Sequence, residues 1–316
     1  MYRIGIDLGG TKIAAGLTDD NHTLLRSLSI PTKRQRTADE ISLDIASLCL
    51  RLIAEASLQK SDIAFIGIAA PGSVNPETGM AEYFCNLPFI NYPLADFIRA
   101  HTGIDRVLLA NDANAAALGE AVAGCTKDVS HSVLITIGTG IGGGVIINKK
   151  IYTGFNYAGG ELGHIVLVHN GRPCGCGRRG CWESYSSVPA LVRTTREYMK
   201  RDRSSLLWSE CGGRLAAVTS YTPFTAAGKG DKTAQKVIDT YLSYLADGLT
   251  NIVNIFQPEI LCLGGGLSAE RSILQPLRTL VDQRQYTSRA AVKTRIEIAS
   301  LGNTAGMIGA AALDIG

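Results

Sequence analysis

The sequence predicts an α/β protein built from two similar domains. Strand-like and helical segments alternate along the chain, an order typical of α/β architecture. The strand, glycine turn and strand of residues 4–17 recur at residues 134–147, and such a repeat indicates two related domains. Each domain would open with a hairpin whose tip faces a shared cleft. With 46% hydrophobic and 19% charged residues, the 316-residue chain has enough apolar material for two cores.

Hydrophobic patterning predicts the individual elements in order. We expect strands at 3–6, 13–17, 63–69, 107–110 and 260–263, and helices over 38–57, 113–123, 233–256 and 304–313. The first domain is predicted to span residues 1–110 and the second residues 111–303. The C-terminal helix, at about residues 304–316, is expected to pack back on the first domain.

Charge and hydropathy exclude several classes of protein. The formal charge is only +3 and the basic residues are scattered, whereas a nucleic-acid footprint is a concentrated basic stripe. No apolar run approaches the roughly 20 residues that span a bilayer. The N-terminal residues resemble a strand rather than a secretory signal. These features predict a soluble, cytoplasmic protein without a nucleic-acid or membrane partner.

Five of the eight cysteines are isolated in ordinary or apolar surroundings. Such cysteines are typical small buried residues of a reducing compartment. The prediction applies to Cys49, Cys85, Cys125, Cys211 and Cys262.

The first glycine turn carries groups that suit a polyphosphate. Gly9 and Gly10 leave backbone N–H groups accessible, while Thr11 and Lys12 add a hydroxyl and a positive charge. An ordinary hairpin turn with a surface lysine remains the alternative for this motif alone.

A second glycine run matches the G-x-G-x-x-G template at residues 138–143. A dinucleotide site requires a helix directly after the glycines, but residues 145–151 are strand-like, which argues against NAD. The Walker pattern is absent as well. A phosphate clamp formed by two hairpin turns is the remaining interpretation. Residues 264–266, with Ser268 as a helix cap, form a third glycine turn that could admit adenosine, or else a plain strand-to-helix connection.

Asn111 and Asp112 follow the strand predicted at 107–110 and precede an alanine-rich helix. Open α/β sheets bind ligands at the carboxyl ends of their strands. The two polar side chains are therefore candidates for a ligand site.

A cluster of soft ligands predicts a zinc site. All four potential ligands fall within one stretch of eighteen residues that includes a glycine- and arginine-rich run: His164, Cys174, Cys176 and Cys181. Tetrahedral zinc takes such Cys₃His sets, and four protein ligands indicate a structural ion. The same loop would hold Glu161 and Glu183, whose carboxylates suit sugar hydroxyls; the alternative for each is a solvated surface acid.

Taken in order, these motifs resemble the ROK family of sugar kinases, above all its bacterial glucokinases, over essentially the whole chain. The resemblance rests on Asp7-x-Gly-Gly-Thr-Lys12, Asn111-Asp112-Ala-Asn-Ala115, Gly138-Thr-Gly-Ile-Gly-Gly143, Glu161-Leu-Gly-His164, Cys174-Gly-Cys-Gly-x-x-Gly-Cys181 and Leu263-Gly-Gly-Gly266. It implies the actin-like ATPase (ribonuclease H-like) fold, with two similar domains around a central cleft. The implied activity is ATP-dependent phosphorylation of a hexose, glucose to glucose 6-phosphate.

The resemblance also implies roles for individual residues. Asp112 would be the catalytic base, and His164 would bind zinc through one ring nitrogen and sugar through the other. Asp7 would be an outer-shell partner of Mg²⁺. Sugar binding would involve Gly72, Asn86, Asn111, Asp112, Glu161, His164 and Glu183, whereas ATP would be held by Asp7, Gly9, Gly10, Thr11, Lys12, Gly138, Thr139, Gly140, Gly142, Gly265 and Gly266. A homodimer or homotetramer is implied too.

Two alternatives differ in function. A kinase for N-acetylmannosamine, N-acetylglucosamine, allose or fructose would share these motifs, because pocket shape decides the substrate. A sugar-responsive transcriptional repressor would carry a helix-turn-helix module before the first strand, whereas this chain starts at that strand, and its phosphate turns are intact. The sequence therefore favours a kinase.

Overall fold

A computed structural model describes residues 1–84 and 86–315 of the protein. Cys85, one of the cysteines predicted to be buried, lies outside the described residues, as does Gly316. Within the described ranges, no helix is both long and apolar enough to cross a membrane.

The described residues form thirteen strands in two five-stranded sheets and one three-stranded sheet. The strands are β1 (Tyr2–Leu8), β2 (Lys12–Thr18), β3 (Leu24–Pro31), β4 (Ile63–Ala70), β5 (Ser73–Asn75), β6 (Met80–Tyr83), β7 (Ile90–Tyr92), β8 (Val107–Asn111), β9 (Ser132–Ile137), β10 (Ile141–Ile147), β11 (Lys150–Ile151), β12 (Ile260–Gly264) and β13 (Arg295–Ile298).

Ten α-helices accompany the strands in the described part of the chain. They are α1 (Ala38–Glu55), α2 (Leu94–Thr102), α3 (Asp112–Ala123), α4 (Glu183–Ser186), α5 (Val188–Arg201), α6 (Leu207–Glu210), α7 (Thr222–Gly228), α8 (Lys232–Phe256), α9 (Leu274–Arg284) and α10 (Ala305–Ala310).

The predicted elements are all found, with differences at their ends. Helix α1 begins at a capping box, in which Glu40 N–H donates to the Thr37 hydroxyl and Thr37 N–H donates to the Glu40 carboxylate. It ends two residues earlier than predicted, and Ser57 just beyond it has a left-handed φ of 56°. Helix α10 covers only part of the predicted 304–313.

The first five-stranded sheet has the order β3-β2-β1-β4-β8. Strands β1, β2 and β3 are antiparallel, whereas β4 runs parallel to both β1 and β8. Polar residues that end β1 and β8 therefore lie at the same edge of the sheet, because the strands point the same way.

The second five-stranded sheet has the order β11-β10-β9-β12-β13. As in the first sheet, an opening strand pairs with the strand that follows a three-residue turn, at residues 9–11 in one case and 138–140 in the other. The repeat seen in the sequence thus corresponds to two hairpins at equivalent places in two similar sheets.

Contacts divide the chain into two compact units. The first unit comprises residues 1–134, 143–160 and 299–316, and the second comprises residues 135–142 and 161–298. The division falls within β9 and β10. The domain boundary expected at residue 110 stays a prediction.

In the first unit, α10 lies directly on the sheet because glycines face it. A Cβ added to Gly5 would come within 1.8 Å of the Met307 carbonyl oxygen, and one added to Gly67 within 1.8 Å of the Ala310 carbonyl oxygen. Helix α10 also packs backbone to backbone on α3, where a Cβ at Gly309 would meet the Ala115 carbonyl oxygen at 1.6 Å. Only glycine permits so close an approach.

A buried carboxylate fastens the segment before α10 to the end of α3. Glu120 is fully buried, and its Oε2 accepts hydrogen bonds from Cys125 N–H and from the hydroxyl and N–H of Ser300. Its Oε1 accepts from Leu301 N–H. Four donors around one carboxylate supply the hydrogen bonds that a buried charged group needs.

In the second unit, α8 is the central helix and packs against α4, α5, α7 and α9.

The isolated cysteines follow the prediction only in part. Cys49, Cys211 and Cys262 are buried, whereas Cys125 is half-buried.

Candidate active site

The first glycine hairpin is fastened from one side by Thr32. The Thr32 hydroxyl donates to the Gly9 carbonyl oxygen at 2.6 Å, and its N–H donates to the Thr11 carbonyl oxygen at 3.0 Å. Thr32 is fully buried, whereas Thr11 and Lys12 are exposed. A Cβ at Gly10 would meet no atom within 4 Å. The hairpin thus has a fixed base and an open outer face.

Asp7 lies beneath this hairpin, near the end of β1. Burial raises the pKa of its carboxyl group, and the positive charge of Lys12 opposes that effect. Helix α10 closes the other side, since a Cβ at Gly306 would lie 3.0 Å from Asp7 Cγ. A buried carboxylate that is costly to ionise is well matched to a nearby cation, which favours the charged form.

We expect Asp7→Asn to raise the melting temperature of the ligand-free protein near pH 7 while lowering kcat. Because the folded-state pKa of Asp7 lies above its unfolded value, its carboxyl group lowers stability, and the loss develops as pH rises through the two pKa values. The amide removes that cost but cannot balance a cation. Melting curves at pH 4 and pH 7 test this: the difference between variant and parent should grow with pH. An equal difference at both values would contradict it.

Asn111 and Asp112 begin α3, as the sequence predicted. Asn111 caps the helix, because its Oδ1 accepts from Ala113 N–H at 2.9 Å and from Asn114 N–H at 3.3 Å. Its Nδ2 donates to the Gly72 carbonyl oxygen at 3.3 Å. Asp112 is exposed at the first helical position, where its Oδ1 accepts from Ala113 N–H at 2.8 Å. The cap thereby fixes the position of Asp112 at the first turn of α3.

Gly72 joins Asn111 to the turn that carries Asn86. It has a φ of 116°, and a Cβ there would lie 2.3 Å from the Tyr83 carbonyl oxygen, which makes glycine necessary. Tyr83 ends β6, and Asn86 is exposed in the turn that follows this strand. In the first unit the structure thus brings Gly72 next to Asn111.

The second glycine hairpin and the third glycine turn are neighbours in the second unit. A Cβ at Gly265, which has a φ of 81°, would lie 2.5 Å from the Ile137 carbonyl oxygen, one residue before Gly138. No atom lies within 4 Å of a Cβ built at Gly138 or Gly266. Ser268 is not a helix cap, contrary to expectation: it lies in a short 3₁₀ turn, and its hydroxyl donates to the Gly265 carbonyl oxygen.

The four predicted zinc ligands converge in the second unit. Their ligand atoms all lie within 4.8 Å of one another. Cys174 Sγ is 3.5 Å from His164 Nδ1, and Cys176 Sγ is 3.7 Å from Cys181 Sγ. Tetrahedral coordination with Zn–S bonds of about 2.3 Å and Zn–N bonds of about 2.0 Å requires ligand separations of about 3.5–3.8 Å. The donor set therefore fits a zinc ion.

Glycines let the chain turn around this cluster. Gly177 and Gly180 have left-handed φ values of 85° and 81°, and a Cβ at Gly180 would lie 1.8 Å from the Val168 carbonyl oxygen. Burial raises the pKa of the Cys181 thiol to about 12, whereas a hydrogen bond from the Arg178 backbone lowers the pKa of Cys176. A bound metal ion would deprotonate both thiols.

The three predicted sugar ligands of the second unit differ in their surroundings. Glu161 is exposed and precedes a short 3₁₀ turn that ends at His164. Because His164 Nδ1 faces the cysteines, its Nε2 is the ring nitrogen that points elsewhere. Glu183 is half-buried: its Oε2 accepts from Ile141 N–H at 2.9 Å, and its Oε1 lies 3.8 Å from Cys174 Sγ.

Trp182, between Cys181 and Glu183, anchors the cysteine loop to α8. Its side chain is fully buried, and a Cβ at Gly248 would lie 2.0 Å from the indole Cε2. Tyr241 of α8 also donates through its hydroxyl to the Ser186 carbonyl oxygen at 2.6 Å. Sequence reasoning missed both anchors, because nothing in the spacing of residues 182 and 248 relates them.

A model of the ROK family matches residues 3–315. The chain belongs to the ROK family. Its two similar five-stranded sheets agree with the actin-like fold that the sequence resemblance implied, and solved ROK structures have the same architecture.

Several sugar kinases resemble the chain over nearly its full length. A glucokinase from Thermotoga maritima is 37% identical, with 98% of this chain and 96% of that protein covered. The crystal structure of a ROK glucokinase from Streptomyces griseus, in complex with glucose and AMPPNP, is 32% identical with a TM-score of 0.81 and 99% of each chain covered. A ROK hexokinase structure from Thermus thermophilus is 30% identical, with a TM-score of 0.84 and coverage of 100% and 99%.

Proposed function

We propose that this ROK protein transfers the γ-phosphoryl group of ATP to glucose and forms glucose 6-phosphate. The observation that carries the proposal is the exposed Asp112 carboxylate at the start of α3, set in place by the Asn111 cap. Similarity to glucokinases along almost the whole chain supports the choice of glucose.

In this proposal Asp112 accepts the proton of the attacking sugar hydroxyl. Phosphoryl transfer depends mainly on positioning and on neutralising charge, and a base aligned with the hydroxyl makes the oxygen a better nucleophile. The residues that would bind the sugar are Gly72, Asn86, Asn111, Glu161, Glu183 and His164, the last through its Nε2.

The glycine turns would hold the nucleotide. In the first unit, the Gly9–Lys12 hairpin offers backbone N–H groups, a hydroxyl and a positive charge to phosphate oxygens. The open space beside Gly138 and Gly266 leaves room for phosphates and adenosine. Mg²⁺ would neutralise phosphate charge, with Asp7 as its outer partner. Zinc on His164, Cys174, Cys176 and Cys181 would be structural and would fix the orientation of His164.

A screen of sugars with ATP and Mg²⁺ in a coupled assay tests the function. We expect glucose to give the highest kcat/KM among glucose, N-acetylmannosamine, N-acetylglucosamine, allose and fructose. A clear preference for one of the other sugars would retain the kinase and replace the substrate. If none is phosphorylated, and the protein instead binds DNA in a sugar-dependent way, the kinase proposal is wrong.

A further inference from the structure

One residue after the second glycine turn contacts both ends of residues 161–183, here called the sugar segment. The N–H of Ile141 donates to Glu183 Oε2 at 2.9 Å. Its carbonyl oxygen faces Gly163, where a Cβ would lie 2.2 Å away. Glu183 follows the last zinc ligand by two residues, and Gly163 precedes His164 by one. Both neighbours of the metal cluster therefore hold the same residue, which is buried.

Contacts on the hairpin itself leave little freedom at either end. The Gly138 N–H donates to the Gly140 carbonyl oxygen at 2.9 Å, and the Gly138 carbonyl oxygen accepts from Val188 N–H at 2.9 Å, at the start of α5. A Cβ at Gly140 would lie 2.4 Å from Glu183 Oε2. Any displacement of the Glu183 carboxylate therefore changes its contacts with Gly140 and Ile141.

The sugar segment is also internally stiff. Trp182 N–H donates to the Ile165 carbonyl oxygen at 2.8 Å, which ties the residue after His164 to the residue before Glu183. The Trp182 side chain against Gly248 holds the pair on α8. Such a segment would move as one piece and would transmit a change at one of its carboxylates to Ile141 rather than absorb it.

We propose that the backbone of Ile141 couples sugar binding to nucleotide binding, with Glu183 and Gly163 as the two positioning contacts. This inference rests on the proposed kinase function. A sugar hydroxyl that engages the Glu183 carboxylate changes how that carboxylate holds Ile141 N–H, and so shifts the position of the phosphate hairpin at residues 138–140. Coupling of this kind is reciprocal: nucleotide must tighten sugar binding by the same factor as sugar tightens nucleotide binding.

Calorimetric titration of AMPPNP with and without saturating glucose measures the coupling. In the unmodified protein we expect glucose to lower the Kd of AMPPNP by about 5-fold or more. In Gly163→Ala, whose new methyl group displaces the Ile141 carbonyl, we expect a factor below about 2. Gly175→Ala is the matched control: it lies in the same cysteine loop, but its Cβ would meet no atom within 4 Å, so it should keep the original factor.

A second measurement does not depend on the variant being folded. Amide NMR signals of Gly138 and Gly140 in the unmodified protein should shift when glucose is added without nucleotide. Unchanged signals, or equal coupling factors in Gly163→Ala and the unmodified protein, would overturn the inference. Turnover of glucose with ATP, measured on the same samples, keeps the two proposals apart: turnover without coupling rejects only the role of Ile141, whereas absence of turnover rejects the kinase.

Discussion

Asp112→Asn is expected to lower kcat by about 10²–10⁴-fold, with a much smaller change in KM for glucose. The amide is almost the same size and can still accept from Ala113 N–H, so α3 should keep its first turn. It cannot accept a proton from the attacking hydroxyl, and the step that depends on a base slows. Initial rates over a range of glucose concentrations, at saturating ATP, separate kcat from KM.

Asp105→Asn provides the matched control for this substitution. Asp105 is exposed in the turn before β8, and the same chemical change there should leave kcat within about 2-fold, as is usual for surface positions. Near-normal turnover in Asp112→Asn would remove Asp112 from the role of base. Equal losses in both variants would indicate a general effect of the substitution.

In the proposal that zinc occupies the Cys₃His cluster, removal of the metal is expected to raise KM for glucose by about 10-fold or more, the usual size of losing a group that orients a ligand. The reason is that His164 would lose the partner of its Nδ1, and Glu161 and Glu183 lie in the same segment. Binding of AMPPNP in the absence of sugar should change less. Metal analysis, KM and the melting temperature, before and after chelation and after zinc is restored, measure these effects.

Cys176→Ser and Cys211→Ser separate loss of the site from loss of a thiol. Cys176 belongs to the cluster, whereas Cys211 lies outside it, with its Sγ 3.4 Å from the Trp208 carbonyl oxygen. Only Cys176→Ser should lower zinc content and raise KM. If a zinc-free preparation keeps its KM for glucose, the link between metal and sugar binding is wrong, although the kinase function could still hold.

Local signals in the sequence were sufficient for most of the fold. The α1 capping box, the alanine-rich α3 and the apolar runs of β1 and β4 each carry their own signal, and the structure has all of them. The repeated glycine hairpin indicated the second sheet. The spacing of three cysteines and a histidine was enough to predict that these residues form one cluster, and their four ligand atoms do lie together. These features depend on neighbours within a few residues or on ligand chemistry.

Long-range packing could not be read in the same way. The contact of Glu183 with Ile141 joins residues 42 apart, and glycines at 163 and 248 look like ordinary loop and helix glycines until their neighbours are known. The strands β5–β7 are only three or four residues long, too short for a periodic pattern. The prediction that Ser268 caps a helix was wrong, because its hydroxyl donates back to the Gly265 carbonyl oxygen instead.

The position of α10 bears on the order in which the protein can assemble during translation. The helix that covers β1 and β4 is made only after the whole of the second unit, residues 135–142 and 161–298, has been synthesised. Until then the glycine-lined face of the first sheet and the flank of Asp7 stay uncovered in the nascent chain. The earliest strands to leave the ribosome are therefore among the last to acquire their complete set of neighbours.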